Sequence, residues 1–551
     1  MADNVTWGSK DFLVPEYFNF ADVIDEWALK EQESKRKSDI PALWWIDGDG
    51  NEVKWSFQEV VLNSKKTANL LCAAADIKQG DRVMIILPAV PEYWMIQAAC
   101  LRTGAVFMVI PDNIGPKELH RRIVKSKPVC VVSANSDQIR EELFDVIEKV
   151  TEVNIKSKIL VNRIKVKQRE GWLEFESLLE TASGDFQSVK SLSSAPTNIF
   201  FSSGTTGNAK MIEHSQASMG LGSLAVEKVN EETDLIWVTT PTGWSVLLTR
   251  SFYGAWSDGA GTFVHYKKVT PREVLKTLQE YPITVAQFRP SIYTKALDEG
   301  SLDSFKFPTL KRCLVSGEPS NKKVLRRWRE KTGVALWDIY GQTELNALTW
   351  YRDAGNSSQL ESVGRPFHGV DMLVVDDNNQ ELPHDTLGRI VVRVKPYRPV
   401  KMFIRYVDDP QKTEACFSGD FYVTGDLGRR DKDGHFWIVG RADDLIIVNT
   451  LLINPCDVET SLREHPAVLD CAVVSSLNQL SQTILKAFIV LSSDFKNKNQ
   501  DELMKELQEY MKYNAAAWMC PEKIEFIDDL PRNLSGKVVR LQLRDKEWNI
   551  Q

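Results

Sequence analysis

The sequence predicts an α/β fold: a large N-terminal domain of packed parallel-type sheets with helices, followed by a small C-terminal α+β domain. Three observations carry that prediction. Short apolar, β-rich runs recur at residues 83–87, 105–110, 129–132, 235–238 and 312–315, with longer amphipathic stretches between them. Nearly continuous apolar strands alternating with helical pattern indicate sheet covered on both faces, as helical crossovers between parallel strands require. The chain, at 551 residues, also exceeds the roughly 250–300 at which a single core stops growing.

The elements follow in order. Between the runs 83–87 and 105–110, residues 91–102 read as a helix: Pro91 suits its first turn, Tyr93, Ile96, Gln97 and Cys100 share one face, and Gly104 stops it. Past residue 440 the pattern changes. Strands are expected at 468–474 and 486–490, a helix at 501–513 and a last strand at 523–527. That is a compact α+β unit of about 100 residues, a common domain size. The seam is placed at Gly440-Arg441-Ala442-Asp443-Asp444, where Gly and Asp suit a turn. The expected domains are therefore 1–440 and 441–551.

Charge and composition exclude several classes. Lys plus Arg is 68 and Asp plus Glu 75, a net charge of −7, with no basic block of the kind that neutralises nucleic-acid phosphates. The longest apolar runs, such as 83–88 and 445–448, fall far short of the roughly 20 residues that span a bilayer. Eight scattered cysteines form no C-x-x-C and seven histidines no H-x-x-x-H, so buried reduced thiols are expected and no structural metal. The opening residues Met1-Ala2-Asp3-Asn4-Val5-Thr6-Trp7 show neither a secretory apolar core nor Arg-rich transit character. A cytoplasmic location and a leader absent from this chain both fit.

Four segments carry chemistry. After the apolar run at 199–201 come Ser202, Ser203, Gly204, Thr205, Thr206, Gly207, Asn208, Ala209 and Lys210. Glycines let backbone approach an anion, hydroxyls and amides donate to phosphate oxygens, and lysine adds a point charge. The spacing is not that of a Walker A loop, and alone it fits a flexible turn as well. The second segment is Trp337, Asp338, Ile339, Tyr340, Gly341, Gln342, Thr343 and Glu344, where a tyrosine that stacks on a purine precedes a carboxylate suited to Mg²⁺. A buried Tyr in a helix-capping turn is the plainer alternative. In the third, a strand at Tyr422-Val423-Thr424 is expected to end in a turn presenting Asp426, an acid able to accept ribose hydroxyls or simply to form an Asx turn. The fourth is Leu534-Ser535-Gly536-Lys537, a lysine on a glycine-flanked loop.

In order and spacing these segments, with Gly317-Glu318-Pro319 and Arg441, resemble the adenylate-forming superfamily of acyl-CoA synthetases, luciferases and peptide-synthetase adenylation domains. Closer still, Val14 to Phe20, Trp44 to Gly48, Glu213-His214-Ser215, Thr242-Gly243-Trp244, Gln287-Phe288-Arg289-Pro290 and Lys546-Glu547-Trp548 look like the medium-chain acyl-CoA synthetases, across essentially the whole chain.

The resemblance implies an ATP-dependent acid–thiol ligase. A medium-chain fatty or aromatic carboxylic acid attacks the α-phosphorus of Mg·ATP, giving an acyl adenylate and pyrophosphate. The thiol of coenzyme A then displaces AMP. It assigns the terminal phosphates to Ser202 through Lys210, Mg²⁺ to Glu344 and the α-phosphate to Thr343. The adenine slot falls to Gly317, Glu318, Pro319 and Asp338 through Tyr340, with Gly341 and Gln342 completing the nucleotide segment. Asp426 and Arg441 serve the ribose or phosphate, Lys537 bridges carboxylate and α-phosphate, Asp443 is the hinge, and Trp244 and Gln287 belong to the acyl pocket. The resemblance also implies a mitochondrial matrix location. Oligomeric state is not legible.

Two departures stand out. Where the family has two small residues, then Gly-Tyr-Arg, this chain has Val448, Asn449, Thr450, Leu451 and Leu452. Thr450 takes the place of the glycine beside which the pantetheine arm passes, and Leu452 the place of a cation. Asn208-Ala209-Lys210 also lacks the usual proline before the lysine. Hence the alternatives: a weakened relative that binds ATP or acyl ligand, or stops at the adenylate, and serves as a sensor or partner protein; or an adenylating enzyme with a different acceptor.

Overall fold

A computed structural model describes residues 6–10, 12–202, 209–224, 229–298, 302–317, 322–350, 362–448, 451–479, 482–515, 517–533 and 536–548. The chain forms two compact units. One comprises Met1–Ser202, Ala209–Met372 and Val392–Tyr422; the other is built mainly from Leu373–Val391 and Val423–Gln551.

Among the described residues, the first unit holds two large sheets. One has eight strands in the order Arg405–Tyr406, Lys210–Ser215, Pro196–Ser202, Val106–Val109, Arg82–Ile86, Cys130–Ala134, Ser157–Val161 and Leu173–Glu174. Its pairings are parallel from Pro196–Ser202 onward and antiparallel at the two strands before it. The other has seven, in the order Leu336–Ile339, Arg312–Ser316, Val285–Gln287, Leu235–Val238, Gly261–His265, Leu43–Ile46 and Glu52–Trp55, parallel except for the last pair. The apolar runs expected as strands are strands, shifted by a residue or two at their ends. Their continuous burial explains the absence of alternation, because helices cover both faces.

The helix Pro91–Thr103 ends, as expected, at Gly104, whose φ of +69° suits glycine. A Cβ there would lie 2.9 Å from both Gln79 Cγ and Val189 Cγ2. The face expected from Tyr93, Ile96, Gln97 and Cys100 is buried, and so is every other residue of this helix. Helices Phe20–Gln32 and Phe57–Ala73 pack against it. Its one buried guanidinium, Arg102, is held by Asp25 at 2.6 and 3.0 Å, Ser64 at 2.9 Å and Ser188 at 3.1 Å. A buried charge persists only with partners of that kind.

The second unit contains most of a five-stranded sheet that includes Gly388–Arg393, Phe421–Arg430 and Phe436–Arg441, and a three-stranded sheet in the order Val468–Leu477, Thr483–Leu491, Lys523–Phe526. Helices Pro455–Leu462 and Gln500–Asn514 close one apolar core against the three-stranded sheet, and Arg540–Trp548 contributes Leu543 to another. The strand bearing Asp426 does not end before it, as expected, but runs on to Arg430. Asp426 pairs with Arg441 on the neighbouring strand, so the ladder continues where sequence suggested a stop. Gly425, at φ +78°, takes the left-handed conformation that suits glycine inside this strand.

Candidate active site

Three adjacent parallel strands of the seven-stranded sheet end together. Val285–Gln287 delivers Gln287, Arg312–Ser316 delivers Ser316 and Gly317, and Leu336–Ile339 delivers Asp338, Ile339 and Tyr340. The register pairs Ser316 with Ile339, and Gln287 Nε2 donates to Ser316 Oγ at 2.8 Å. Ligands of open α/β sheets collect at such carboxyl ends, where turning backbone leaves a crevice. Gly317 has φ +89°, and no atom of the described residues lies within 4 Å of where a Cβ would stand. Glu318 and Pro319 lie outside the described residues.

The segment that follows is a small β-hairpin rather than a helix-capping turn. Gly341–Gln342 pairs antiparallel with Asn346–Ala347. A Cβ on Gly341 would sit 2.2 Å from the Asn346 carbonyl oxygen, so the crossing of the two backbones demands glycine. Thr349 Oγ1 accepts from the Tyr340 amide at 3.1 Å and Tyr422 OH donates to Gln342 Oε1 at 3.1 Å. Between these fixed arms, the hairpin carries Thr343 and Glu344.

The eight-stranded sheet supplies the opposing group. Strands Pro196–Ser202 and Lys210–Ser215 pair with Ser202 opposite Lys210, and the second of them pairs in turn with Arg405–Tyr406. Tyr406 OH donates to Glu344 Oε1 at 2.6 Å, while Lys210 Nζ stands 5.3 Å from the Tyr406 ring centroid. Burial, reinforced by the Glu344 charge, pushes the Tyr406 phenol far above its ordinary value, so it remains a donor. Lys210 and Glu344, far apart in sequence, thus share one tyrosine. Ala209 accepts from Lys125 Nζ at 2.7 Å. Ser203, Gly204, Thr205, Thr206, Gly207 and Asn208 lie outside the described residues.

His214 locks the hairpin to this sheet. Its Nε2 is 2.8 Å from the Thr343 carbonyl oxygen and its Nδ1 is 3.1 Å from Ser218 Oγ. The carbonyl fixes the tautomer with the proton on Nε2. Burial pulls its pKa down to about 4, so the ring is a neutral clamp at physiological pH. Sequence reading gave neither Tyr406 nor His214 a role; the only signal was the apolar run ending in Glu213-His214-Ser215. Trp244 caps the short helix Ser245–Leu247, at the start of the segment that carries Arg250, and Arg250 Nε donates to Gln287 Oε1 at 3.1 Å.

Within the second unit, Arg441 Nη1 donates to the Thr424 carbonyl at 2.9 Å and stands 3.7 Å from Asp426 Oδ1. Its Nε donates to Asp443 Oδ1 at 3.0 Å, and Arg544 Nη1 donates to the Asp443 carbonyl at 2.7 Å. Asp426, Arg441 and Asp443 are therefore one cluster. Lys537 is exposed on a turn closed by Asn533: the Lys537 amide donates to Asn533 Oδ1 at 3.0 Å and the Asn533 amide to the Lys537 carbonyl at 2.9 Å. Arg532 ties that turn to Asp470, and Arg540 anchors its far side on Glu459 at 2.7 Å. Burial opposes the Arg540 charge, and the Glu459 carboxylate outweighs it. Strands Ile446–Val448 and Leu451–Ile453 pair antiparallel, and Leu451 is exposed. Asn449, Thr450 and the Leu452 side chain lie outside the described residues.

Comparison with known proteins settles the family. The AMP-binding enzyme family matches residues 29–396 and the AMP-binding enzyme C-terminal domain matches 457–537. Human mitochondrial acyl-coenzyme A synthetase ACSM4 is 41% identical over 97% of this chain and 91% of its own length. The chain belongs to the medium-chain acyl-CoA synthetases. Mouse mitochondrial ACSM3 is 40% identical over the same shares. Among solved structures, the anthranilate CoA ligase AuaEII in complex with anthranoyl-AMP superposes with a TM-score of 0.81 at 22% identity, over 97% of this chain and 98% of its own. A benzoate CoA ligase from Burkholderia xenovorans LB400 gives 0.77 at 21% identity, over 96% and 100%. These two likenesses concern the fold.

A synthetase of this family works with Mg²⁺, and the donor set suits it. No cluster of three or more His, Cys, Asp or Glu side chains stands ready for a metal among the described residues. Mg²⁺ takes one or two carboxylates, with phosphate oxygens and water filling the rest of its shell. A lone carboxylate oriented by a phenol meets that need.

Two predictions follow from this geometry. His214 is depressed from 6.5 in the unfolded chain to about 4 when folded, so its contribution to stability is whole above pH 6.5 and lost as pH falls toward 4. The parent is expected to lose about 3 kcal/mol more than His214→Gln across that window, read by denaturant titration at stepped pH. Tyr406→Phe removes the donor on Glu344 without changing ring volume. It should raise the Mg²⁺ concentration for half-maximal ATP–pyrophosphate exchange several-fold, while the fold, read by circular dichroism, stays unchanged.

Proposed function

We propose that this synthetase condenses a carboxylic acid with coenzyme A in two steps, through an acyl adenylate made from Mg·ATP. The observation that carries the reading is the convergence of Lys210, Tyr406 and Glu344 beside the ends of three parallel strands. Adenylation brings two anions together, a carboxylate and a triphosphate, so a site for it must supply cations and aligned donors before the reaction begins. Lys210 supplies the charge at the end of the 202–210 segment, which holds the leaving pyrophosphate. Glu344, kept in place by the Tyr406 hydroxyl, holds the metal. Thr343, fixed through its carbonyl by His214, faces the α-phosphate, and Gly317 to Pro319 with Asp338 to Gln342 form the adenine slot.

The remaining roles belong to the second unit. Asp426 receives the ribose hydroxyls, and Arg441, held against Gly425 by the Thr424 carbonyl and Asp443, sets the position of that carboxylate. Residues 441–551 act as the mobile domain, hinged at Asp443. Lys537, presented on its closed turn, neutralises carboxylate and α-phosphate together as the new bond forms. The related synthetases named above are mitochondrial proteins, and a mitochondrial location is proposed for this one. No helix among the described residues is long and apolar enough to cross a membrane.

Two measurements test this reading. Lys537→Ala should lower the rate of ATP–pyrophosphate exchange about 100-fold or more while ATP affinity changes little, since the contact belongs to the transition state; equal exchange rates would remove Lys537 from the chemistry. Thr450→Gly should speed transfer to coenzyme A in single-turnover assays and leave exchange unaltered, because it restores the glycine of the family pattern, the residue type that leaves room for a pantetheine arm. An unchanged transfer rate would clear Thr450 of blame.

A further inference from the structure

The acyl-pocket residues adjoin a pair of cations that no step above employs. Arg250 lies in the helical segment Leu248–Gly254, its Nε on Gln287 and its guanidinium 5.3 Å from the Trp350 ring centroid. Trp350 is stacked on Phe367 at 5.9 Å, and on Phe367 in turn rests Lys401 Nζ, 4.0 Å from the ring centroid. Two cations thus bracket a stacked aromatic pair. Among the described residues neither pairs with a carboxylate. Among the described residues Arg250 Nη2 is buried with no acceptor, and Lys401 Nζ makes only a long 3.4 Å contact to the Ala347 carbonyl.

The acids whose charge reaches Arg250 are engaged elsewhere. Asp234 binds Arg312 at 2.7 Å and Lys311 at 3.1 Å, and Asp258 accepts from Asn230 at 2.9 and 3.1 Å. Burial first, and then the like charge of Arg250, pulls the Lys401 ammonium down to about 7. Like charges held together at depth cost free energy unless an anion joins them. The surroundings are polar as well. Thr239 follows directly on the strand paired with Gln287, and its hydroxyl, that of Thr240 and the Trp244 indole NH are buried without partners among the described residues. An apolar acyl tail would leave all of these unsatisfied.

We propose that the acid this synthetase activates carries a second anionic group at the far end of its acyl tail, received by Arg250 and Lys401 over the Trp350–Phe367 pair. The proposal rests on the reading of Trp244 and Gln287 as acyl pocket and narrows the substrate to ω-carboxylated acids or aromatic acids bearing a second acidic group. The aromatic pair grips the tail, and Gln287 holds the Arg250 fork in line. A substrate ending in methyl would leave both cations unpaired, and sites built for a charged group reject the analogue that lacks it.

The test uses the full chain with Mg·ATP. ATP–pyrophosphate exchange is measured with suberate against octanoate and with terephthalate against benzoate, in the parent, Arg250→Met and Lys401→Met. Calorimetric titration with suberate and, separately, with Mg·ATP is run on the same three proteins. The parent is expected to favour the diacid in kcat/KM, and each variant to lower the diacid-to-monoacid ratio by about 100-fold. A parent that uses octanoate and benzoate as well as the diacids overturns the proposal and leaves the ligase reading standing. Silence with every acid, joined to suberate binding that both variants abolish, overturns the ligase reading and supports the anion site. Silence with every acid and no suberate binding overturns both. Retained Mg·ATP binding in the variants shows that they are folded.

Discussion

The site depends on one register. Lys210–Ser215 lies between Pro196–Ser202 and Arg405–Tyr406, and only the pairing of Ile212 with Tyr406 sets the Tyr406 hydroxyl against Glu344 with Lys210 beside its ring. A slip by one residue would turn every side chain of the short strand to the other face. Two further bonds hold the arrangement: the Phe403 amide donates to the Glu344 carbonyl at 2.8 Å, and the Ile404 amide to the Glu213 carbonyl at 2.7 Å. Glu344 is thereby fixed through its backbone and its side chain at once. Such prior fixing is what electrostatic catalysis needs, because donors that must reorganise during the reaction lose most of their effect.

The neutral His214 belongs to the same logic. A protonated imidazole would bring a positive charge to a place whose work is geometric, and burial removes that option. Its two bonds tie the Thr343 carbonyl to Ser218, so the separate two-stranded hairpin is fastened to a strand of the eight-stranded sheet. Rigid attachment matters here because reacting groups must meet within a few tenths of an ångström.

Much of this was legible in the chain, for identifiable reasons. Buried parallel strands leave unbroken apolar runs, so the strands of both sheets were readable, as was the helix that Gly104 ends. The segments expected to meet nucleotide stood out because glycines, hydroxyls and a terminal lysine crowd together in a short stretch, of which residues 203–208 lie outside the described residues. Tyr406 was not, since its partner Glu344 lies more than sixty residues away and nothing near Tyr406 marks it. The Asp426 turn was misread because Gly425, at φ +78°, sits inside a strand that does not end there: its ladder with the neighbouring strand opens at Asp426 opposite Arg441. The helix Pro91–Thr103 shows the converse. Its polar residues imitate a wet face, yet Arg102 satisfies itself inside with Asp25, Ser64 and Ser188, a pattern that no local window reveals.

Arg250 and Lys401 define the other end of the same problem. At the proposed phosphate end, Lys210 is the cation set to meet an anion that arrives with the nucleotide. At the acyl end the same reasoning applies with the signs unchanged, for cations lodged on aromatic rings and lacking carboxylates are stable only to the degree that some anion visits them. Lys401 shows how near the balance lies. Held down to about 7, it gives up its proton readily when alone, and an arriving carboxylate would restore its charge. Binding of a doubly charged acid would then neutralise two cations at one end while the nucleotide site draws the other carboxylate forward. One substrate would be stretched between two electrostatic anchors, with the Trp350–Phe367 pair as the apolar span between them, and chain length would be read as the distance from Glu344 to Arg250 rather than as the volume of a greasy pocket.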